Sequence, residues 1–314
     1  MRPVLNTFRW MPGFVALSAI WGASFALIKV AVDAGVAPAW VALWRCLFGA
    51  LALLGICAIR RTWPPREPVL WGHALVVAAL LNAVPFTLLA YGETQVSSVL
   101  AGIWNATTPL ATMMFAAALV PQERLTGRRL FGLLTGFAGV LVVLGVWQGI
   151  EGGTVAGALA CLATTICYGA GFAYTQRFFS GHGASAAGLS AMQIGCATAE
   201  LALLTPLISG APTWPGPRAG AALLVLGAAG TGVAYVLNLA VIRSAGSTVA
   251  ATVTYVAPLW STMLGATLLS EPIGWNTAAG GLLILAGVVI ARAPRRAAVP
   301  RDERPRVPAT GGRA

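Results

Sequence analysis

Residues 97–120 read SSVLAGIWNATTPLATMMFAAALV, and residues 246–269 read GSTVAATVTYVAPLWSTMLGATLL. The two stretches match when Pro109 is aligned with Pro258. With one residue of slippage in the loop that follows, the match extends beyond these stretches, and the paired residues include Ser98 with Ser247, Glu123 with Glu271, and Gly139 with Gly287. A segment that recurs at a fixed distance indicates a repeat architecture. Because this distance is about half the chain, the sequence predicts a duplicated protein.

The composition is typical of a membrane protein. Apolar residues make up 58% of the chain and charged residues 9%, whereas soluble domains average roughly 45–50% and 25%. There is no long polar block that could form a separate soluble domain. Each apolar run is long enough to span a membrane as a helix. We predict ten such spans, at residues 12–32, 38–59, 69–91, 97–120, 128–147, 154–178, 184–209, 219–242, 246–269 and 274–292.

The placement of arginine predicts the orientation in the membrane. The net charge of +11 comes mainly from arginines in the short gaps between apolar runs and at the two ends of the chain, a placement that argues against a nucleic-acid partner. If the N-terminus is cytoplasmic, almost every arginine outside the spans is cytoplasmic too, and Arg218 is the exception. Positive charge is enriched in cytoplasmic loops. We therefore predict a membrane protein with both termini in the cytoplasm.

Five spans in each half is an odd number, so the second half enters the membrane upside down. The predicted fold class is an all-α integral membrane protein, in which two inverted five-helix repeats surround a central cavity. The repeats cover residues 12–147 and 154–292. Inverted repeats usually place the substrate near the midplane, where the halves meet. Residues 293–314 are rich in Pro, Arg and Gly and are predicted to be a disordered basic cytoplasmic tail.

Sequence motifs of the common enzyme classes are missing. The chain has no nucleophile elbow, no phosphate-binding loop and no HExxH motif. His73 and His182 have no acidic or cysteine partner at ligand spacing, and the five cysteines lie inside apolar runs. We therefore predict no catalytic residue, no metal site, no cofactor and no disulfide framework.

Three ionisable residues inside the spans are candidates for function, because charge in a membrane is costly. Lys29 lies four residues before Asp33, so it either pairs along the helix or binds substrate or a proton. Arg45 lies well inside the second span. It either makes a structural ion pair or binds a substrate carboxylate, and Glu200, Glu93 and Asp33 are possible ion-pair partners. Glu200 is also a candidate proton carrier.

Polar stripes on the repeated spans form a second set of candidates. Helical spacing places polar residues on one face of span four and of span nine, and such stripes either line a cavity or pack helix on helix. Pro109 and Pro258 each remove a backbone hydrogen bond, so both are predicted to break their helices. We expect the central cavity to be lined by these stripes and by matching residues of other spans, namely Trp21, Asn82, Trp104, Asn105, Thr108, Tyr168, Tyr235, Asn238, Thr254 and Tyr255.

The chain resembles the EamA-type transporters of the drug/metabolite transporter superfamily. Residues 20–51, IWGASFALIKVAVDAGVAPAWVALWRCLFGAL, and residues 107–143, TTPLATMMFAAALVPQERLTGRRLFGLLTGFAGVLVV, carry the resemblance together with the second-half copy. It implies ten helices around a central cavity and the movement of small metabolites. The two halves differ at one position: Gln193 stands in the second half where Arg45 stands in the first.

These observations predict a secondary-active or facilitative transporter, not an enzyme, that exports amino acids or related small metabolites by alternating access. The partners expected are a small-molecule substrate and the lipid bilayer. The driving force is a gradient of the solute or of protons, and both a monomer and a homodimer are compatible with the sequence. Export of drug-like cations or nucleosides is the alternative within transport. A membrane-embedded enzyme or lipid-modifying subunit is the alternative of another class.

Overall fold

The computed structural model describes residues 10–96, 98–123, 125–148, 154–212, 214–269 and 274–291. Within these ranges the only regular elements are helices, and a single 3₁₀ turn occupies Val146–Gln148. In chain order the helices are α1 (Met11–Asp33), α2 (Pro38–Arg60), α3 (Pro68–Gln95), α4 (Ser98–Asn105), α5 (Thr108–Leu119), α6 (Gly127–Val143), α7 (Val155–Phe179), α8 (Ala186–Ser209), α9 (Gly216–Ala245), α10 (Ser247–Ala251), α11 (Val253–Leu269) and α12 (Trp275–Ala291). The predicted disordered tail lies outside the described residues.

Six of the described helices are long and apolar enough to cross a membrane: α1, α2, α3, α7, α8 and α9. They contain 23 to 30 residues, and at about 1.5 Å per residue even the shortest exceeds the roughly 30 Å of a hydrocarbon core. Large apolar side chains cover the outer surface of the bundle; Leu207, for example, is 80% exposed. A surface of this kind is stable only against lipid.

The predicted spans 97–120 and 246–269 are each divided into two helices. Pro109 is at the start of α5, where its missing N–H costs nothing, and α4 ends at Asn105, four residues earlier. Pro258 differs from the prediction, because it lies inside α11 and the second division falls six residues before it, at Thr252. There the hydroxyl groups of Thr252 and Thr254 donate to the carbonyls of Val249 and Ala251, an alternative to regular helical bonding.

Helices α6 and α12 pack directly on each other through glycine. Gly139 faces the backbone of Gly280 and Ile284, and Gly287 faces the backbone of Gly132 and Gly136. Without side chains at these positions the two backbones approach closely, as in many membrane helix pairs. Both helices therefore stabilise the fold by packing on each other, and neither contributes a residue to the cavity wall described below.

Gly139→Ala is expected to lower the free energy of unfolding by about 1–3 kcal/mol, the usual cost of overpacking. A methyl group at this position would lie 2.7 Å from the oxygen of Gly280 and from the nitrogen of Ile284. Thermal unfolding of the purified protein in detergent measures the effect. Gly281→Ala is the matched control, because its nearest neighbour is the flexible end of Leu259 at 3.4 Å. Equal midpoints for the two variants would contradict this account of the contact.

Candidate functional site

A cavity lies between α1, α2, α3, α4, α7, α9 and α11. About 620 Å³ inside it is not occupied by protein atoms, a volume that includes space open to the outside of the protein. Seven of the residues that the sequence suggested line it: Trp21, Arg45, Asn105, Tyr168, Tyr235, Asn238 and Thr254. Its other walls are Ser24, Phe25, Ile28, Leu81, Phe86, Leu89, Phe172 and Ala257.

Arg45 is the charged residue in the cavity wall. Its side chain is 5% exposed, and its guanidinium carbon lies 3.6 Å from the centre of the Phe86 ring. The Nε atom donates to the hydroxyl of Thr231 at 3.3 Å. The terminal guanidinium nitrogens have no hydrogen-bond partner among the described residues. Because a planar guanidinium binds a carboxylate through two parallel bonds, Arg45 is oriented to accept an anionic group from the cavity.

The contact of Arg45 has a counterpart in the other half of the chain. Gln193 of α8 aligns with Arg45 of α2, and its side-chain nitrogen donates to the oxygen of Asn82 at 2.7 Å. The register that aligns Pro109 with Pro258 also aligns Asn82 with Thr231. Each half thus contributes one polar side chain, and the two side chains bond to aligned positions on the third helix of the other half.

The two bonded residues, Asn82 and Thr231, each lie in a π-helical turn. Residues Ala79–Ala83 of α3 and Ala228–Val233 of α9 have π geometry, which widens the helix and disturbs its regular backbone bonding. The carbonyl of Leu81 accepts a bond from the Tyr235 hydroxyl at 2.8 Å, and the carbonyl of Gly230 accepts one from Trp21 Nε1 at 3.2 Å. Buried carbonyls in a membrane require such partners. The same bonds fix two aromatic rings in the cavity wall.

Two of the suggested residues have structural contacts away from the cavity. Tyr255 is fully buried against Gly136, and its hydroxyl donates to the carbonyl of Leu133 at 3.0 Å. It therefore holds α11 to α6. Lys29 pairs with Asp33 at 2.8 Å, and its side chain is 53% exposed. The four-residue spacing between Lys29 and Asp33 allowed an ion pair along the helix, and the structure contains that pair.

Four other suggested residues also lie outside the cavity wall. Asn82 is fully buried behind it and bonded to Gln193. Trp104 packs against a small cluster around Cys161, Thr108 is fully buried, and Glu200 is half-buried on α8. Periodicity places a residue on a helix face but does not say which neighbour covers that face, so these positions could not be separated from lining positions by sequence.

Sequence reasoning missed most of the apolar wall. Phe86, Leu89 and Phe172 line the cavity, but apolar residues in an apolar span give no signal of their own. Helical spacing does place Phe25 and Ile28 on the same face as Trp21, and both line the cavity. In the described ranges no group of three or more His, Cys, Asp or Glu residues is arranged to hold a metal ion.

A cavity with an aromatic wall and a few polar groups, enclosed by helices that can cross a membrane, is typical of a membrane transporter. The chain belongs to the EamA-like transporter family, since the model of that family matches residues 8–145 and again residues 155–293. A solved crystal structure has the same fold with a TM-score of 0.72; it is 22% identical, and the match covers 91% of this chain and 96% of that one.

Several curated proteins are similar in sequence. The uncharacterized inner membrane transporter YedA of Escherichia coli is 27% identical over 88% of both chains. The aromatic amino acid exporter YddG of Ancylobacter novellus is 25% identical over 76% of this chain and 77% of its own. Protein PagO of Salmonella typhimurium is 29% identical over 44% of this chain and 47% of its own.

Proposed function

We propose that the protein is a secondary or facilitative carrier of the bacterial inner membrane that exports an amino acid or a related small metabolite. Arg45 carries this proposal: it is a buried cation in the cavity wall, and its outer nitrogens have no hydrogen-bond partner among the described residues. A substrate carboxylate would satisfy it. The relative described as an aromatic amino acid exporter agrees with this substrate class.

We propose further that the described helices form ten spans in two inverted repeats, residues 12–147 and 154–292. The two matches of the family model support this arrangement. So do the paired contacts of Arg45 with Thr231 and of Gln193 with Asn82. Helix pairs α4–α5 and α10–α11, together with α6 and α12, would supply the four remaining spans.

The same arrangement implies a mechanism of alternating access. The cavity wall takes residues from both repeats, so a rocking motion of one repeat against the other would expose it to each side in turn. The arginine distribution supports cytoplasmic termini. The driving force would be a gradient of the solute or of protons. Both a monomer and a homodimer remain compatible with the described surface.

The alternative within transport is export of a drug-like cation or a nucleoside. A cation exporter would need a negative cavity wall, but Glu200, which the sequence suggested for that role, does not line the cavity while Arg45 does. A membrane-embedded enzyme would need a cluster of catalytic groups. The family favours transport, and the arginine in the cavity wall favours an anionic or zwitterionic solute.

Proteoliposomes that contain the purified protein are expected to show saturable uptake of at least one radiolabelled amino acid. A panel of aromatic, aliphatic and acidic amino acids should be compared with uridine and ethidium, with protein-free liposomes as the control. Counterflow against an internal load of unlabelled solute separates carrier transport from leak. Saturable transport of uridine or ethidium with none of any amino acid would overturn the substrate proposal and leave the fold unaffected.

A further inference from the structure

A second buried charge lies close to the cavity. Glu93 of α3 is 8% exposed, and its Oε1 atom is buried without a hydrogen-bond partner among the described residues. It lies one helical turn beyond Leu89, which lines the cavity. Phe86, on whose ring the guanidinium of Arg45 stacks, lies two turns earlier on the same face of α3. Glu93 therefore lies on the face of α3 that lines the cavity and contacts Arg45.

Arg45 and Glu93 do not bind each other. The ion pairs within 4.0 Å in the described part of the chain are Lys29 with Asp33 and Arg129 with Glu123. Two opposite charges that are both buried and yet not in contact are unfavourable, because neither has a counter-charge within bonding distance. A ligand that carries both a negative and a positive group would supply the two missing counter-charges.

We propose that Arg45 and Glu93 form a two-point site for a zwitterion, in which Arg45 binds a carboxylate and Glu93 binds an ammonium group. An anion alone would leave Glu93 without a partner, and a cation alone would leave Arg45 without one. A zwitterion satisfies both with charge-assisted hydrogen bonds. This inference rests on the proposed function and narrows the substrate class.

The cavity walls indicate what the rest of the substrate is. Trp21 contacts Tyr235 edge-on at 5.9 Å between ring centres, and Tyr235 contacts Phe86 edge-on at 6.4 Å. Rings arranged in this way offer a large apolar surface with few polar atoms. The substrate class that fits is an α-amino acid with an aromatic or other apolar side chain.

Three ligands that share the phenylalanine skeleton and differ in charge test the site: L-phenylalanine, N-acetyl-L-phenylalanine, which lacks the ammonium group, and L-phenylalanine methyl ester, which lacks the carboxylate. Each competes, unlabelled, against flux of a labelled amino acid in proteoliposomes. For the unmodified protein we expect L-phenylalanine to compete at least about 10-fold better than either analogue, the range for losing one hydrogen bond to a charged group. An N-acetyl analogue that competes equally well would overturn the proposal without any variant.

Glu93→Gln is expected to weaken competition by L-phenylalanine about 10- to 100-fold and to leave that by N-acetyl-L-phenylalanine nearly unchanged. Glu67→Gln is the matched control, since it makes the same change at an exposed position just before α3. Glu93→Asp keeps the charge and should keep the preference for the zwitterion. If Glu93→Gln fails to fold, the analogue series on the unmodified protein and on Glu93→Asp still decides.

The two possible failures are distinguishable. If the unmodified protein transports no amino acid, the proposed function fails. If it transports L-phenylalanine and Glu93→Gln keeps the full preference over the N-acetyl analogue, amino-acid export stands and the role of Glu93 is refuted. A change in Glu93→Gln that affects all three ligands equally also refutes it, because a general loss of structure or of coupling does not discriminate among the ligands.

Discussion

Arg45→Gln is expected to reduce amino-acid flux, expressed as kcat/KM, by at least about 30-fold while the protein remains folded. Removing one member of a buried charge pair at a binding site costs about 2–5 kcal/mol, and about 2 kcal/mol corresponds to about 30-fold. Glutamine is the informative replacement, because Gln193 occupies the aligned position in the other half and bonds to Asn82 at 2.7 Å. A glutamine at position 45 can bond to Thr231 in the same way, so the packing of α2 is preserved.

Two further variants separate binding from structure. Arg45→Lys keeps the charge but loses the flat guanidinium that stacks on Phe86, so we expect an intermediate flux. Gln193→Ala removes the corresponding contact in the other half. It should lower the unfolding temperature and leave substrate selectivity nearly unchanged. Size-exclusion profiles and thermal unfolding confirm folding for each variant. A folded Arg45→Gln protein with flux within about threefold of the unmodified protein would show that Arg45 is structural.

The sequence predicted helix positions well because their causes are local. Each apolar run demands a helix in lipid, and six of the predicted runs correspond to helices long enough to cross. Pro109 divided its span as expected, because a proline ring clashes with the carbonyl four residues earlier. Pro258 did not divide its span, because threonine hydroxyls broke the helix earlier, at Thr252. That competition was not visible in the pattern of apolar residues.

The cavity was harder to predict because its wall depends on contacts between distant helices. Arg45 and Tyr235 were found by their chemistry, since charge and aromatic polarity are rare in a membrane. Phe86 and Leu89 carry no such signal. The π-helical turns of α3 and α9 have no sequence mark either, although they determine which carbonyls are left for Trp21 and Tyr235. Tyr255 is the reverse case: its polar aromatic side chain suggested a cavity position, but it packs α11 against α6.

The two halves of the chain share one arrangement of helices but place different side chains at aligned positions. The paired contacts of Arg45 with Thr231 and of Gln193 with Asn82 hold equivalent helices together. Because arginine occupies one position and glutamine the other, the two contacts are equivalent in location but differ in charge. Arginine at both positions would bury two cations, and a single carboxylate could not balance both. The asymmetry therefore suits a substrate with one carboxylate.

The second large effect is expected at Glu123, in the loop after α5. Its buried carboxylate accepts hydrogen bonds from the backbone nitrogens of Ser247 and Thr248 at 2.7 and 3.3 Å and from both of their hydroxyl groups, and it pairs with Arg129 at 3.3 Å. Gln176 also accepts from the nitrogen of Ser247. The carboxylate thus joins α6 to the start of α10, at the N-terminal end where a negative charge is favourable.

Glu123→Ala is expected to destabilise the protein by about 3–5 kcal/mol, the cost of removing one partner of a buried ion pair. The variant should unfold at a clearly lower temperature in detergent and accumulate poorly in membranes. Adding Arg129→Met should restore part of the loss, because the double variant no longer buries a cation whose carboxylate is gone. If Arg129→Met costs as much in the Glu123→Ala background as in the unmodified protein, the two residues are energetically independent. The junction would then depend on the hydrogen bonds to α10 alone, and Glu123→Gln, which keeps one acceptor oxygen, should recover much of the stability.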